Sequence, residues 1–352
     1  MMKTKALAFF TLAVLVLNLS GLALADTRRS KSKKRQSNAL VAMLPVSDGV
    51  VTFDVKRFFK DAMPQILSAN QPMLAKIMDH LRMIESKSGI DLRKFEQVAA
   101  GVTMKTGSGN KLSADPVVIA RGSISTDSLL AAAKKAAEGR FREEKIGERN
   151  VIIFAAKDEA KKNVPSAVIP GAGLEVLGTA IDGMPNEIAM TSLDSTTLVI
   201  GSPERVRQTI DRTTSVSADI TSLLSNSETS VCTFAMRVPE KMATLVDLEK
   251  DELGKNINSI KFMSGSMDVT AVGASMELMA RTAKPEQAKE LFDMLQGLQM
   301  IGKSFLGGSK KTEHKVIARM LDTAKVTSRG TDVLLNVSVA QADIDTLVAT
   351  IK

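Results

Sequence analysis

Few residues in this chain could do chemistry. The string Lys105-Thr-Gly-Ser-Gly-Asn-Lys111 pairs Ser108 with Lys111 at a spacing of three. A neighbouring lysine can take a serine proton and make the hydroxyl a nucleophile. Gly171-Ala-Gly173, with Gly178 later, has the look of a dinucleotide turn. Its third glycine is misplaced, and the next acid, Asp194, precedes a strand rather than ending one. His80 has no second histidine at helical spacing, and His314 has only Glu313 beside it. No His-Glu-x-x-His and no Gly-x-Ser-x-Gly occurs. Cys232 is the only cysteine, which excludes an intramolecular disulfide and a multi-cysteine metal site. Asp247, Glu249, Asp251 and Glu252 lack the spacing of a calcium loop. No catalytic, cofactor-binding or metal-binding residue is assigned.

Lys-Thr-Gly and Ser-x-x-Lys also occur in penicillin-recognising enzymes, but there they stand far apart and meet only in the fold. Here they are contiguous, off any helix, and without a Ser-x-Asn partner. A glycine-rich tip between two strands explains the string through turn chemistry alone. Ser108 and Lys111 are therefore expected to be solvated, and a serine-type hydrolase is the least favoured of three functional readings.

Charge says more about destination than about binding. The net charge of +8 divides unevenly. Residues 1–25 carry +2, residues 26–38 carry +5, and everything from Ala39 onward carries +1. The basic residues are Arg28, Arg29, Lys31, Lys33, Lys34 and Arg35. A nucleic-acid-binding fold would spread such residues over its surface, so no nucleic-acid partner is expected. The absence of Trp and Tyr removes the usual stacking platforms as well.

Lys3 and Lys5, the apolar run from Ala6 to Leu17 and the small residues Ala23 and Ala25 read as an export signal cut after Ala25. The alternative is an uncleaved anchor, because basic residues directly after an apolar run resist translocation. Residues 26–42 are then a flexible linker whose six cations could touch an anionic envelope surface.

Positioning elements follow from periodicity. Asp48–Val55 reads as a strand, and two helices follow, the first interrupted by Pro64 and the second capped by Gly89. Strands are expected over Gln97–Met104 and Pro116–Ile124. A helix ends at Gly139, and a hairpin joins Phe141–Ile146 to Asn150–Ala155. Glu187–Thr191 and Thr196–Gly201 lead into a helix opened by Ser202-Pro203-Glu204. The order then repeats. Val231–Arg237 resembles Val50–Lys56, strands near Ile257–Met267 and Ala271–Arg281 precede a helix from Pro285, and Asp332–Val339 precedes a last helix. The helix from Pro285 is expected to turn Leu291, Leu295, Leu298 and Phe305 inward.

The expected fold class is therefore α+β, two tandem modules at 43–215 and 226–352. Each is a mostly antiparallel sheet with packed helices in the order β-α-β-β-α-β-β-α. Phe53 and Phe234 are each expected to enter the core of their own half. Met73, Met78, Met83, Met294 and Met300 fall on the two longest helices, where flexible thioethers suit either core or an adaptable apolar groove.

Leu44-Pro-Val-Ser-Asp48-Gly-Val-Val, with Asp54 and Gly89-Ile-Asp91, resembles uncharacterised exported bacterial proteins. In those, a Leu-Pro-x-x-Asp start opens a duplicated α+β module behind a signal peptide. The resemblance implies a prokaryotic envelope setting, periplasmic or secreted, and carries no activity. An exported non-catalytic binding or structural protein, with a protein, peptide or lipid partner and no cofactor, is the expected function. The alternative is a carrier or sensor of a lipid or apolar peptide in a Met-lined groove.

Overall fold

The computed structural model describes residues 37–106, 112–155, 186–224, 230–239 and 252–349. Within them the chain is α+β, and its paired strands run antiparallel. It forms two compact units. The first holds residues 37–56 and 76–217; the second holds 57–75 and 218–349, as far as they are described. The arm at 57–75 follows the first strand in sequence and yet belongs with the second unit.

In the first unit, helix α1 (Ser37–Val41) leads to strand β1 (Gly49–Asp54). β2 (Phe95–Thr106) and β3 (Leu112–Gly122) follow, then β4 (Phe141–Ile146), β5 (Arg149–Ala155), β6 (Glu187–Asp194) and β7 (Thr197–Gly201). They pair in the order β1-β2-β3-β7-β6-β5-β4. Representative partners are Phe53↔Val98, Ile119↔Val199 and Ile153↔Ala189. Val98, Ile119, Ile152, Ile153, Ala189, Met190 and Val199 are all almost fully buried. Burial of neighbouring positions in β5, β6 and β7 means that both faces of these central strands are covered.

Short local signals set the helices of this unit and of the arm. α2 opens at Val55–Arg57, passes through a π turn over Phe58–Ala62 and finishes at Met63–Ile66. Pro64 cannot donate, and the π turn lets the Met63 amide reach the Phe58 carbonyl, so the helix continues through the proline. α3 spans Gln71–Ser88. Asp91 then caps a 3-10 turn, taking the Arg93 amide at 3.0 Å and its Nε at 2.7 Å. Burial works against ionisation of Asp91, but the Arg93 side chain, its amide and the Lys94 charge together hold the carboxyl below its ordinary range. α4 (Thr126–Ala137) is capped by Ser125, and α5 (Pro203–Asp211) by Ser202 with proline in its first turn.

The Leu44–Asp48 start has a structural role. Asp48 accepts the Met104 amide through Oδ2 at 2.8 Å, and the Val46 amide donates to Thr214 Oγ1 at 3.2 Å. Arg205 of α5, only 2% exposed, donates to the Val46 carbonyl at 2.6 Å and to Ser47 Oγ at 2.7 Å. Leu44 is fully buried beside this knot.

The second unit contains α6 (Ala218–Leu224), β8 (Cys232–Arg237), α7 (Glu252–Ser259), β9 (Ile260–Thr270) and β10 (Gly273–Thr282). α8 (Pro285–Gly307), α9 (Thr312–Thr323), β11 (Lys325–Arg329), β12 (Asp332–Ala340) and α10 (Gln341–Val348) complete it. Its strands pair in the order β8-β9-β10-β12-β11. The arm is fastened here by side chains. Gln341 Nε2 donates to the Gln65 carbonyl at 3.0 Å, Ser68 Oγ to Asp345 Oδ1 at 2.9 Å, and Asn70 Nδ2 to the Val348 carbonyl at 3.0 Å. Arg57 forms an ion pair with Asp268 at 2.6 Å.

Three expectations are corrected. Residues 257–259 close a helix, so the strand expected from Ile257 begins at Ile260. Phe53 is buried but Phe234 only half so; the Phe234 ring lies where a side chain on Gly265 would stand. Leu298 and Phe305 do not turn inward, and the surface they make is described next.

Candidate lipid-facing surface and a charged cleft

α8 begins with Pro285 and Glu286, both suited to a first turn. Its first half is anchored normally. Ala288 and Leu291 are buried with Val333, and Ile260, Leu295 and Val326 pack around them. Further along, one side of the helix is taken by α9. Gln299 Nε2 donates to the carbonyls of Leu321 at 2.6 Å and Ala324 at 2.8 Å, which lie at the end of α9. Gly302 faces Leu321 Cδ1 closely enough that an added Cβ would lie 2.9 Å away. Lys303 pairs with Asp322 at 3.1 Å.

What α9 leaves uncovered is apolar. Leu298, Ile301 and Phe305 stand at helical spacing on one stripe and are 49%, 67% and 79% exposed; Met300, further round, is 70% exposed. Scattered exposed apolar residues are ordinary, but a contiguous set on one helix marks an interaction surface. The charges that this stretch of sequence itself supplies are basic, with Lys303 paired to Asp322. No Asp or Glu occurs between Asp293 and Glu313, while Lys303, Lys310 and Lys311 lie in that interval. After α8 the chain turns through Ser309, whose Oγ lies 2.9 Å from His314 Nδ1 on α9. An apolar stripe bordered by cations can enter the boundary of an anionic bilayer, with the rings and aliphatic chains below the headgroups and the ammonium groups among them.

A concavity lies in the first unit, between α4 and the β4–β5 hairpin, with a volume of about 400 Å³. Asp127, Leu130 and Lys134 line it from the helix, and Glu148, Arg149 and Ile152 from the hairpin. None of its lining residues is a methionine, so it is not the Met-lined groove expected from the sequence. Of the methionines expected to line one, Met294 is half-buried on α8 and Met83 and Met300 are exposed.

The other sequence-derived candidates are placed as follows. Arg28, Arg29, Lys31, Lys33, Lys34, Arg35, Ser108, Lys111, Gly171, Gly173, Gly178 and the Asp247–Asp251 run lie outside the described residues. His80 is exposed on α3. Burial pushes the Cys232 thiol up to about 11, which keeps it protonated and unreactive at neutral pH. Among the described residues no group of His, Cys, Asp and Glu could hold a metal ion. Among them, too, no helix is long and apolar enough to cross a membrane.

The stripe on α8 was missed because helical spacing marks an apolar face without saying what covers it. The acid-free interval after Asp293 was the available signal.

No family model matches the chain, and no curated protein matches it. Among solved structures it is similar to the Treponema protein TP0453. Crystal form I aligns at a TM-score of 0.43 and 8% identity, covering 88% of this chain and 96% of that one. Crystal form III aligns at 0.42 and 8% identity, covering 88% of this chain and 98% of that one.

Proposed function

We propose that the chain is an exported, non-catalytic binding protein of the cell envelope that docks on an anionic lipid surface through the C-terminal half of α8. The observation that carries this reading is Phe305, 79% exposed beside Ile301 and Leu298 in a stretch free of acids. In this reading residues 1–25 are removed on export, and the six cations from Arg28 to Arg35 add a second electrostatic contact with the same surface. Each basic residue held near an anionic membrane contributes about 1 kcal/mol, so neither the stripe nor the linker needs to act alone. The two units are read as a tandem duplication. Its support is that β8-β9-β10-β12-β11 repeats the succession β1-β2-β3-β7-β6, the β4–β5 hairpin being an addition to the first.

The test is sedimentation of the mature chain with vesicles of phosphatidylglycerol and phosphatidylcholine, and with phosphatidylcholine alone. Binding is expected to the anionic vesicles only and to weaken with salt. Replacing Leu298, Ile301 and Phe305 together with serine should reduce it by about twentyfold, near 1.8 kcal/mol. Equal binding by the triple variant, or a wild-type dimer that the triple variant abolishes, overturns the proposal in favour of no docking role or a second copy on that face. Intact mass of the protein from its own host reads the export step. A mass that retains residues 1–25 would leave the anchored form.

A further inference from the structure

The cleft between α4 and the β4–β5 hairpin has a polarity that selects a ligand. Its two ends are distinguished by what they are tied to. Thr126 Oγ1 donates to the Asp194 carbonyl at 3.0 Å, and Arg149 Nη1 donates to the Ser192 carbonyl at 2.6 Å. The start of α4 and the hairpin turn therefore meet at the end of β6, which brings Asp127 and Glu148 to one end of the cleft. Arg149 is at this end as well, with one donor committed to Ser192, so the end carries two negative charges against one positive. The other end belongs to Lys134. Its ammonium is held by Glu143 at 2.8 Å and stands 6.0 Å from the centre of the Phe141 ring. Glu143 does not line the cleft, so it positions the cation without occupying the space. Leu130 and Ile152 give the floor between the ends an aliphatic surface.

We infer that this cleft binds a short peptide with free termini, three residues long, with its ammonium at Asp127 and Glu148 and its carboxylate at Lys134. The length follows from the helix. Asp127 and Lys134 are seven residues apart on α4, about 10 Å at 1.5 Å per residue. Three extended residues span roughly 10 Å, so one tripeptide reaches both charges, whereas a free amino acid reaches one. An apolar central side chain would rest on Leu130 and Ile152. The volume of about 400 Å³ lies in the range of small-molecule sites. This site is separate from the lipid-facing stripe and does not depend on it.

Titration calorimetry of the full chain with Ala-Leu-Ala tests the assignment. Saturable binding is expected, with the N-acetylated and the C-amidated peptides each weaker by about tenfold. Asp127→Asn should erase the penalty for acetylation, and Lys134→Gln the penalty for amidation. Asp127 is exposed and Lys134 half-buried, and thermal melts followed by circular dichroism confirm that the variants are folded. The capped peptides test the wild-type chain even if a variant fails to fold. No saturable heat at millimolar peptide, capped peptides that bind as well as the free one, or free leucine that binds as tightly as the tripeptide would each overturn the inference.

Discussion

Arg205→Leu is expected to lower the unfolding free energy of the first unit by about 3–5 kcal/mol, read from urea unfolding at neutral pH. The guanidinium is out of solvent, and burial pushes it down from its ordinary range while the charges of Asp115 and Asp48 act the other way. Leucine restores volume but takes the donor from Ser47 Oγ and leaves the Val46 carbonyl only the longer bond from Thr103 Oγ1 at 3.4 Å. It also removes a positive charge that interacts with Asp115, 8% exposed. Losing one partner of a buried charged group costs more than the group contributes as a pair, because the other partner stays desolvated. Ser47→Ala removes one acceptor of Arg205 and one donor to the Pro45 carbonyl at 2.9 Å, and should cost about 1–2 kcal/mol. A loss below 1 kcal/mol for Arg205→Leu would show that this knot does not hold the start of the chain.

Gly122→Ala should cost about 3 kcal/mol or prevent folding, although it adds a single methyl group. Gly122 ends β3 opposite Phe95, where the register shifts. A Cβ there would collide with the Lys94 carbonyl oxygen and come within 2.6 Å of the Phe95 Cα. Both obstacles are backbone, so no side chain can rotate away. The backbone is also pinned, with the Gly122 amide on the Thr196 carbonyl and the Ser123 amide on the Lys94 carbonyl at 2.9 Å. Gly297→Ala is the matched control. It lies in α8 with nothing within 4 Å of its added Cβ, and by helix propensity alone it should stabilise slightly. Equal melting temperatures for the two variants would contradict the close approach.

These residues show what was legible in the sequence. The hairpins, the end of α4 and the capped start of α5 were readable because their signals are local, in alternating β-branched residues, Gly139 and Ser-Pro-Glu. Arg205 gave no such signal. Its partners lie 158 and 159 residues away, and within its own helix it reads as a surface arginine. α8 failed in a different way. Leu291, Leu298 and Phe305 all obey helical spacing, but only Leu291 meets a neighbour that covers it. α9 was overlooked because only Val316 and Met320 mark its buried side, in a run otherwise dense with charge. The cleft was hidden for the reason Arg205 was, since Asp127, Glu148 and Ser192 come together only through strand pairing.

The fastening of the 57–75 arm also sets an order in time. Its hydrogen-bond partners Gln341, Asp345 and Val348 are 276 to 278 residues downstream of the positions they hold. At roughly 5–20 residues per second a ribosome needs about 15–55 s to deliver them. For that interval Met63 and Leu67, both buried in the finished protein, have no α10 to close over them. The arm must therefore wait in an unfinished state, accessible to chaperones or to another nascent copy, until α10 has been made. A chain that stops before Gln341 would leave it waiting permanently, which makes α10 the clasp on which completion of the second unit depends.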